Sequence, residues 1–425
     1  ILFSKGLIHR PALILKNEGG VYDTVKIYKN KKATEPLAIL PKGEFVANIY
    51  DEAIKNDVRY DVNRNMRILE LAEDGSHLKL WVSTAMDLNN DTLWYPKELY
   101  QIVKNNCGPC GSGCMLGGHD EQQLKECMIP QWSQLGKWQA DSLNYLIENE
   151  GFEVIFSHYH NVDLQGHMTV KYMKKKEGID SLEERVYAEC MEMIYQQTDE
   201  YIGRFLHLLD EDWTIFIVSD HAQVCPEHGP IMMGEPVGVN VRLMQELGYT
   251  EVKHDENGKE LHEIDWEKTR AVAVRGNHIY LNLKGRNPYG IVDPADQYEL
   301  EEQIMTDLYG YKHPETGKRV IALALRNRDA ALLGLSGPEC GDIIYFNAEG
   351  YNFDHGDILS TTLGYGGTSV SPIFMAAGKG IKENFVTDRV IREVDFAPTL
   401  AVVGGVRMPA QCEGAVVYQI LKEQY

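Results

Sequence analysis

Apolar and polar positions alternate along much of the first hundred residues, a pattern that predicts β-strands. The clearest case is the stretch 67–86, where apolar residues alternate on both sides of Asp74-Gly75. An Asp-Gly pair between two alternating runs is a strong signal for a β-hairpin. We therefore predict that residues 1–130 form a strand-rich accessory or cap region.

The pattern then changes to amphipathic helices that alternate with short apolar runs. Apolar positions three and four residues apart predict helices over 132–150 and 181–209. The apolar runs at 152–156 and 213–218 predict buried strands, although the length of the first run alone does not exclude a helical segment. Helices that alternate with buried strands are typical of an α/β fold with a mostly parallel sheet.

The region 225–340 departs from this alternation and predicts inserted α+β cap or lid material. It contains an alternating stretch at 271–283 and a helical pattern at 294–309. Strand-type runs at 341–346 and 371–377 then return to the core pattern. The predicted organisation is a cap region at 1–130, a core α/β part at 131–224, the inserted cap at 225–340 and the C-terminal part of the core at 341–425.

Chemically active side chains follow the apolar run at 152–156. Asp163 and His167 are four residues apart, so one helical turn places both on one face, about 5–6 Å apart at Cβ. A carboxylate and an imidazole at that spacing form half of a site for zinc or a similar divalent ion. A polar loop with its histidines bonded to the backbone remains the alternative.

A second pair of such residues, Asp220 and His221, follows the run at 213–218. Adjacent residues on a strand point to opposite faces, so these two share a site only if the backbone turns where the strand ends. In open α/β sheets ligands bind at that edge. His355 precedes a third strand-type run. The pattern thus predicts two metal half-sites at one sheet edge.

The ordered motifs resemble those of a known superfamily. They are D-x-x-x-H, V-S-D-H and D-H-G, followed by S-P-I-F-M-A-A-G-K-G-I-K and V-D-F-A-P-T-L. From about residue 151 onward the chain resembles the alkaline phosphatase superfamily, in particular its type I phosphodiesterase/nucleotide pyrophosphatase branch. The resemblance implies a three-layer core with a mostly parallel sheet. It also implies a first metal held by Asp163, His167 and His355, and a second held by Asp220 and His221.

The resemblance further implies the chemistry. Two divalent ions about 3.5–4 Å apart, preferably zinc with manganese or iron as alternatives, would assist the hydrolysis of a phosphate ester. A diester or nucleotide pyrophosphate bond is the leading substrate. The family's Ser or Thr nucleophile and first metal aspartate are not found in this chain and are expected upstream of Ile1. Phosphomonoesterase, sulfatase or phosphonate hydrolase activity remains open, as does a non-catalytic metal- or ligand-binding role.

Two further histidines, His158 and His160, lie beside Asp163 in the sequence. Their place makes them candidates to line the substrate pocket. Ordinary hydrogen-bonded histidines are the alternative reading of both.

A glycine-rich loop at 105–120 holds a second candidate metal site. Cys107, Cys110, Cys114 and His119 supply ligand types found in structural zinc sites. A second well-formed cysteine pair is missing, so a loop with reduced thiols is the alternative. The other cysteines are scattered without a disulfide framework, which favours a cytoplasmic location.

Composition and charge narrow the range of partners. The 425 residues are 44% hydrophobic and 25% charged, as in an ordinary globular protein. The net charge of −21 disfavours nucleic-acid polymers and anionic membranes, which would be repelled. A small phosphorylated substrate remains compatible, because bound cations dominate the field of a metal site. No apolar run approaches the ~20 residues of a membrane span. The sequence does not predict an oligomeric state.

Overall fold

The computed structural model describes residues 2–3, 9–112, 121–163, 166, 182–222, 241–274, 277–348 and 372–422. The chain divides into two compact units. The first comprises Ile1–Ile215 and Ala376–Tyr425, and the second comprises Phe216–Met375. The domain limits inferred from the sequence stay predictions.

Strands dominate the beginning of the first unit. They are β1 (Leu2–Phe3), β2 (His9–Arg10), β3 (Ala12–Lys16), β4 (Tyr22–Ile27), β5 (Ala38–Pro41), β6 (Phe45–Lys55), β7 (Val58–Leu71), β8 (Leu78–Val82) and β9 (Met86–Asp87). β1 pairs with β2, β3 to β5 form a three-stranded sheet, and β6 to β9 form a four-stranded one. All of these pairings are antiparallel. The strand-rich character predicted for this part of the chain is confirmed.

The predicted hairpin at Asp74-Gly75 is also confirmed. β7 and β8 pair antiparallel up to the register Leu71↔Leu78, which closes the hairpin around the Asp-Gly turn. Gly75 has φ +75, a left-handed conformation that glycine adopts without steric cost. Apolar residues of β4 to β7 form a shared core. Its buried members are Val25, Ile27, Ala38, Leu40, Ile49, Met66, Ile68 and Leu71.

The helices of the first unit follow the strands in sequence. They are α1 (Glu98–Cys107), α2 (Glu121–Gln123), α3 (Ile129–Glu150), α4 (Leu182–Gly203) and, near the C-terminus, α7 (Phe396–Val403). α3 and α4 were both predicted, although α4 ends at Gly203 and not at 209. Trp132 of α3 is fully buried with Tyr187, Cys190 and Ile194 of α4. Burial of one such large side chain contributes about 1.5–3 kcal/mol.

The second unit contains its own antiparallel sheet. Its elements are α5 (Val241–Glu246), β11 (Val252–His254), β12 (Glu260–Ile264), β13 (Ala271–Val274), β14 (His278–Leu281), α6 (Gln297–Gly310), β15 (Ile321–Arg326) and β16 (Ile343–Asn347). The sheet has the order β13-β14-β16-β15, while β11 and β12 form a separate hairpin. α6, predicted at 294–309, buries Leu300, Ile304 and Leu308 in the same core as the sheet. Their spacing of four residues gives the helix one apolar face.

Two predicted strands pair with each other. β10 (Thr214–Val218) and β17 (Phe374–Gly378) form a two-stranded sheet. Ser219 N–H donates to Ile373 O, and Lys379 N–H donates to Trp213 O, so the two strands run antiparallel.

Single-turn helices complete the described part. Short 3-10 helices occur at Leu206–Asp210, Pro294–Asp296, Asp329–Leu333, Glu393–Asp395 and Tyr418–Ile420, and a π-helical turn occurs at Leu124–Met128. No helix in the described ranges combines the length and apolar character that a membrane crossing requires.

The mixture of helices and sheets agrees with the predicted α/β class, but the mostly parallel sheet is not observed. Every strand pair with a described register is antiparallel. Among the described residues, parallel pairing is limited to the isolated bridge between Leu283 and Val292. Alternation of helices with strand-type runs indicates element types, but strand direction depends on long-range pairing that the pattern does not specify.

The buried strand predicted at 152–156 is wrong for this structure. Residues 151–160 have no regular secondary structure. Val154 and Phe156 are 82% and 85% exposed. The apolar run suits a strand, but a strand also needs a neighbouring backbone to pair with. No strand of the described chain pairs with this segment.

Candidate functional site

Asp163, the first predicted metal ligand, lies in a helical stretch at residues 161–163, directly after the irregular segment 151–160. Its side chain is 20% exposed. His160 donates from Nε2 to Asp163 Oδ2 over 2.7 Å. Two ligands each about 2 Å from one tetrahedral ion stand about 3.3 Å apart, so this shorter contact is a hydrogen bond and not a pair of co-ligands.

The two histidines predicted as pocket-lining residues lie together. The ring centroids of His158 and His160 are 4.7 Å apart, with the planes tilted by 37°. His160 is therefore placed between His158 and the Asp163 carboxylate. A role for either histidine in substrate binding stays a prediction.

The second predicted half-site lies where β10 ends. The strand stops at Val218, and Ser219 Oγ donates to His221 O over 2.6 Å within the turn that follows. His221 Nε2 and Asp220 Oδ2 are 3.8 Å apart. The two adjacent side chains therefore face each other, as the sequence argument required of a turn at the strand end.

The orientation of the His221 ring is fixed by a hydrogen bond to the backbone. Nδ1 lies 3.0 Å from the carbonyl oxygen of Ala222, to which it donates. A neutral imidazole that donates from Nδ1 carries its lone pair on Nε2, the nitrogen nearer to Asp220. The 3.8 Å separation exceeds the ~3.3 Å expected of two tetrahedral ligands by only a few tenths of an ångström. The pair thus fits a divalent ion with a small side-chain adjustment.

Two of the five predicted metal ligands, His167 and His355, lie outside the described residues. Within the described ranges no group of three His, Cys, Asp or Glu side chains is arranged to hold a metal ion. Asp163 belongs to the first unit, whereas Asp220 and His221 belong to the second. Convergence of the five residues stays a prediction.

Residues 96–368 match the family model described as type I phosphodiesterase / nucleotide pyrophosphatase, which covers more than half of the chain. The chain belongs to this family. The resemblance inferred from the motifs is confirmed, and with it membership of the alkaline phosphatase superfamily. Comparisons with curated proteins and with solved structures gave no match. Membership of a phosphodiesterase family indicates a phosphate ester hydrolase.

The donor chemistry of this family member suits divalent transition metals. Carboxylate and imidazole groups are typical ligands of zinc and manganese. Asp163 and His221 each have a hydrogen-bonded neighbour, His160 and the Ala222 carbonyl, that restricts the orientation of the side chain. Such orienting partners are a regular feature of protein metal sites.

The glycine-rich loop of this phosphodiesterase relative is described only in part, since Cys114 and His119 lie outside the described residues. Burial raises the pKa of the Cys107 thiol. Burial also raises the pKa of the Cys110 thiol to about 11. Both groups are therefore protonated thiols at neutral pH when no metal ion is bound. A zinc site that uses all four residues stays a prediction.

Side chains that no sequence motif indicates support the Asp163 segment. Gln139 of α3 donates to Ser157 Oγ and to His158 O. Tyr201 of α4 hydrogen-bonds to Ser157. The spacing of apolar residues on α4 indicates that Tyr201 faces inward, but it does not reveal which loop the hydroxyl contacts.

Proposed function

We propose that this protein is a metal-dependent hydrolase of phosphate esters, with a phosphodiester or nucleotide pyrophosphate bond as its substrate. Family membership supports the reaction class. The observation that carries the metal dependence is the orientation of Asp220 and His221, whose ligand atoms are 3.8 Å apart at the end of β10.

The proposed ligand sets follow the order of the motifs. Asp163, His167 and His355 hold one divalent ion, and Asp220 and His221 contribute to a second. Zinc suits these ligands best, with manganese or iron as alternatives. When bound, such a pair of ions stabilises the attacking and leaving oxygens of an in-line displacement at phosphorus.

The residues around the proposed metal ligands have different roles. His160 holds the Asp163 carboxylate in one orientation through its 2.7 Å hydrogen bond. The Ala222 carbonyl keeps the proton of His221 on Nδ1, so that Nε2 acts as the ligand atom. His158 lines the substrate side of this region. The nucleophile is not assigned to a residue of this chain.

We also propose that the motif-bearing part of the chain forms the three-layer core of the superfamily, in which the sheet is mostly parallel. Family membership supports it. A crystal structure with zinc bound tests both the core and the ligand set. It should show a mostly parallel central sheet and His355 on the same ion as Asp163. A separation of more than about 10 Å between these two residues contradicts the ligand set, since zinc–ligand bonds are about 2 Å long.

The activity is tested with two chromogenic substrates, bis(p-nitrophenyl) phosphate and p-nitrophenyl phosphate. We expect nitrophenol release that requires added zinc or manganese and that is faster with the diester. A faster reaction with the monoester points to a phosphomonoesterase of the same superfamily. No hydrolysis of either ester with any divalent ion, despite tight metal binding, supports the non-catalytic alternative.

The Asp220→Ala variant tests the residue assignment. The Asp220 side chain is 77% exposed, so its removal leaves the packing intact. We expect hydrolysis to fall to background with an unchanged melting temperature. The control is Asp210→Ala, an exposed aspartate that precedes β10 and is not a proposed ligand. Near-normal activity of Asp220→Ala contradicts the two-metal mechanism.

A further inference from the structure

The segment that leads to Asp163 is positioned by side chains rather than by strand pairing. Residues 151–160 have no regular secondary structure. Gln139 Nε2, on α3, donates to Ser157 Oγ over 3.0 Å and to His158 O over 2.8 Å. One amide group of α3 therefore fixes two consecutive residues of the segment.

Tyr201 holds the same segment from α4. Its hydroxyl lies 2.8 Å from Ser157 Oγ. Its ring stacks on that of Tyr159, with centroids 4.1 Å apart and planes inclined by only 19°. Tyr201 is 9% exposed, so both contacts are made inside the first unit.

Tyr159 connects Tyr201 to the helical stretch that contains Asp163. Its hydroxyl accepts a 2.8 Å hydrogen bond from Nδ2 of Asn161, which is 4% exposed and begins the helical stretch containing Asp163. The Tyr159 ring also lies against Gly136 of α3, where an added Cβ would be 3.0 Å from Cε2. Contacts thus connect Tyr201 through Tyr159 to Asn161, which is two residues before Asp163 in the same helical stretch.

The hydroxyl groups in this set stay protonated at physiological pH. Burial raises the pKa of Tyr159 to about 12. Burial also raises the pKa of Tyr201, an effect that its hydrogen bond with Ser157 partly offsets.

We infer that Tyr201 is a positioning residue for the Asp163 carboxylate, acting through Ser157 and through its stack on Tyr159. This inference rests on the proposed function, because it takes Asp163 as a metal ligand. Tyr201 contacts neither Asp163 nor a bound ion in this role. It determines where the segment 157–163 places the carboxylate.

The alternative is that Tyr201 contributes only to packing. The two roles differ in what the hydroxyl does, since Tyr201→Phe keeps the stacked ring and removes only the bond to Ser157. A packing role changes the melting temperature and leaves metal affinity unchanged. A positioning role lowers metal affinity in a protein that folds normally.

The experiment is a double-mutant cycle with zinc as the probe, read out by isothermal titration calorimetry. We expect Tyr201→Phe to weaken zinc binding about fivefold, the factor that corresponds to one net hydrogen bond. Ser157→Ala also removes the hydrogen bond from Gln139, so it should weaken zinc binding at least as much. The double variant should be no weaker than Ser157→Ala, because Ser157→Ala already lacks the bond to Tyr201. The control is Tyr195→Phe on the same helix, whose ring is 54% exposed and whose zinc affinity should equal that of the wild type.

The outcomes separate this inference from the proposed function. If Asp163→Ala loses one bound zinc ion while Tyr201→Phe binds zinc like the wild type, the positioning role is wrong and the proposed function stands. Additive losses in the double variant contradict action through the Ser157 bond. If the wild type binds no zinc, or Asp163→Ala binds it equally well, the proposed ligand set is wrong and the inference fails with it.

Discussion

Nε2 of His160 lies 2.7 Å from Oδ2 of Asp163, three residues further along the chain. The bond is local, because the helical stretch at 161–163 brings the two side chains to the same side of the chain. It restricts the rotation of the carboxylate. A restrained carboxylate loses less conformational entropy when it binds an ion than a mobile one.

The first prediction concerns this bond. We expect His160→Ala to weaken zinc binding by about 10–100-fold, the usual effect of removing a group that orients a metal ligand. Isothermal titration calorimetry measures the change. His207→Ala is the control, since His207 is exposed on the 3-10 turn after α4 and has no proposed role. Zinc binding by His160→Ala that matches the wild type would show that the bond does not orient Asp163. A loss as complete as that of Asp163→Ala would make His160 a ligand itself.

The second prediction concerns Gly136, which lies beneath the ring of Tyr159. Alanine is favoured over glycine inside a helix by about 1 kcal/mol. However, its Cβ would lie 3.0 Å from Cε2 and 3.1 Å from the hydroxyl of Tyr159, so the ring must shift. We expect Gly136→Ala to change the free energy of unfolding by less than about 1 kcal/mol while zinc affinity falls several-fold. Calorimetry and urea unfolding measure the two quantities.

The control for Gly136 is Gly310→Ala at the end of α6, where an added Cβ meets nothing within 4 Å. Gly310→Ala should leave zinc affinity unchanged. If Gly136→Ala also leaves it unchanged, the contact with Tyr159 does not position the segment that carries Asp163.

Features with local causes were predicted well from the sequence. The hairpin at Asp74-Gly75 follows from the turn preference of two residues and from the alternation around them, and β7 and β8 form it. α6 follows from apolar residues four apart that bury one face. In both cases the information lies within about twenty consecutive residues, so the pattern is sufficient.

Features that depend on contacts between residues far apart in the sequence were not predicted well. The run at 152–156 has strand composition, but its residues do not pair, because pairing depends on segments elsewhere in the chain. The stack of Tyr159 on Tyr201 joins residues far apart in sequence and exists because α3 and α4 pack together around Trp132. The bond between His160 and Asp163 is an exception, because side chains three residues apart can meet on one side of a helical turn. This spacing alone would have been enough to predict the bond.

The third prediction concerns Asn65, which joins the strand-rich part of the first unit to α3. Asn65 is fully buried. Its Oδ1 accepts from Asn48 N–H, and its Nδ2 donates to Gln134 Oε1 over 2.8 Å. Asn65→Leu removes these bonds and also the 3.3 Å hydrogen bond that Nδ2 donates to Oε1 of the buried Gln131, so we expect a loss of about 1–3 kcal/mol in the free energy of unfolding. Urea unfolding at neutral pH measures it.

The control for Asn65 is Asn149→Ala, at the exposed end of α3. Substitutions at such surface positions usually change stability by less than about 0.5 kcal/mol. A similarly small effect of Asn65→Leu would mean that water replaces its bonds and that the contact does not stabilise the unit.

The fourth prediction is a pH dependence that arises from Asp395, which precedes α7 and is 1% exposed. Burial raises its pKa, but hydrogen bonds from Ala415 N–H, from Arg392 N–H and from the Arg392 guanidinium outweigh this effect and hold the pKa below the ordinary value. An unfolded aspartate has a pKa of about 3.9, so the folded protein binds this proton more weakly than the unfolded chain does. The stabilisation is therefore complete at pH values above the unfolded pKa, and it is lost as the pH falls through the lower pKa of the folded state.

We expect Asp395→Asn to be less stable than the wild type by about 1–3 kcal/mol at pH 7, with the difference narrowing below about pH 4. Urea unfolding from pH 3 to pH 7 measures this difference, with the exposed Asp388→Asn as the control. A difference that stays constant over this range would show that the charge of Asp395 does not stabilise the fold, because only its ionisation gives the effect a pH dependence.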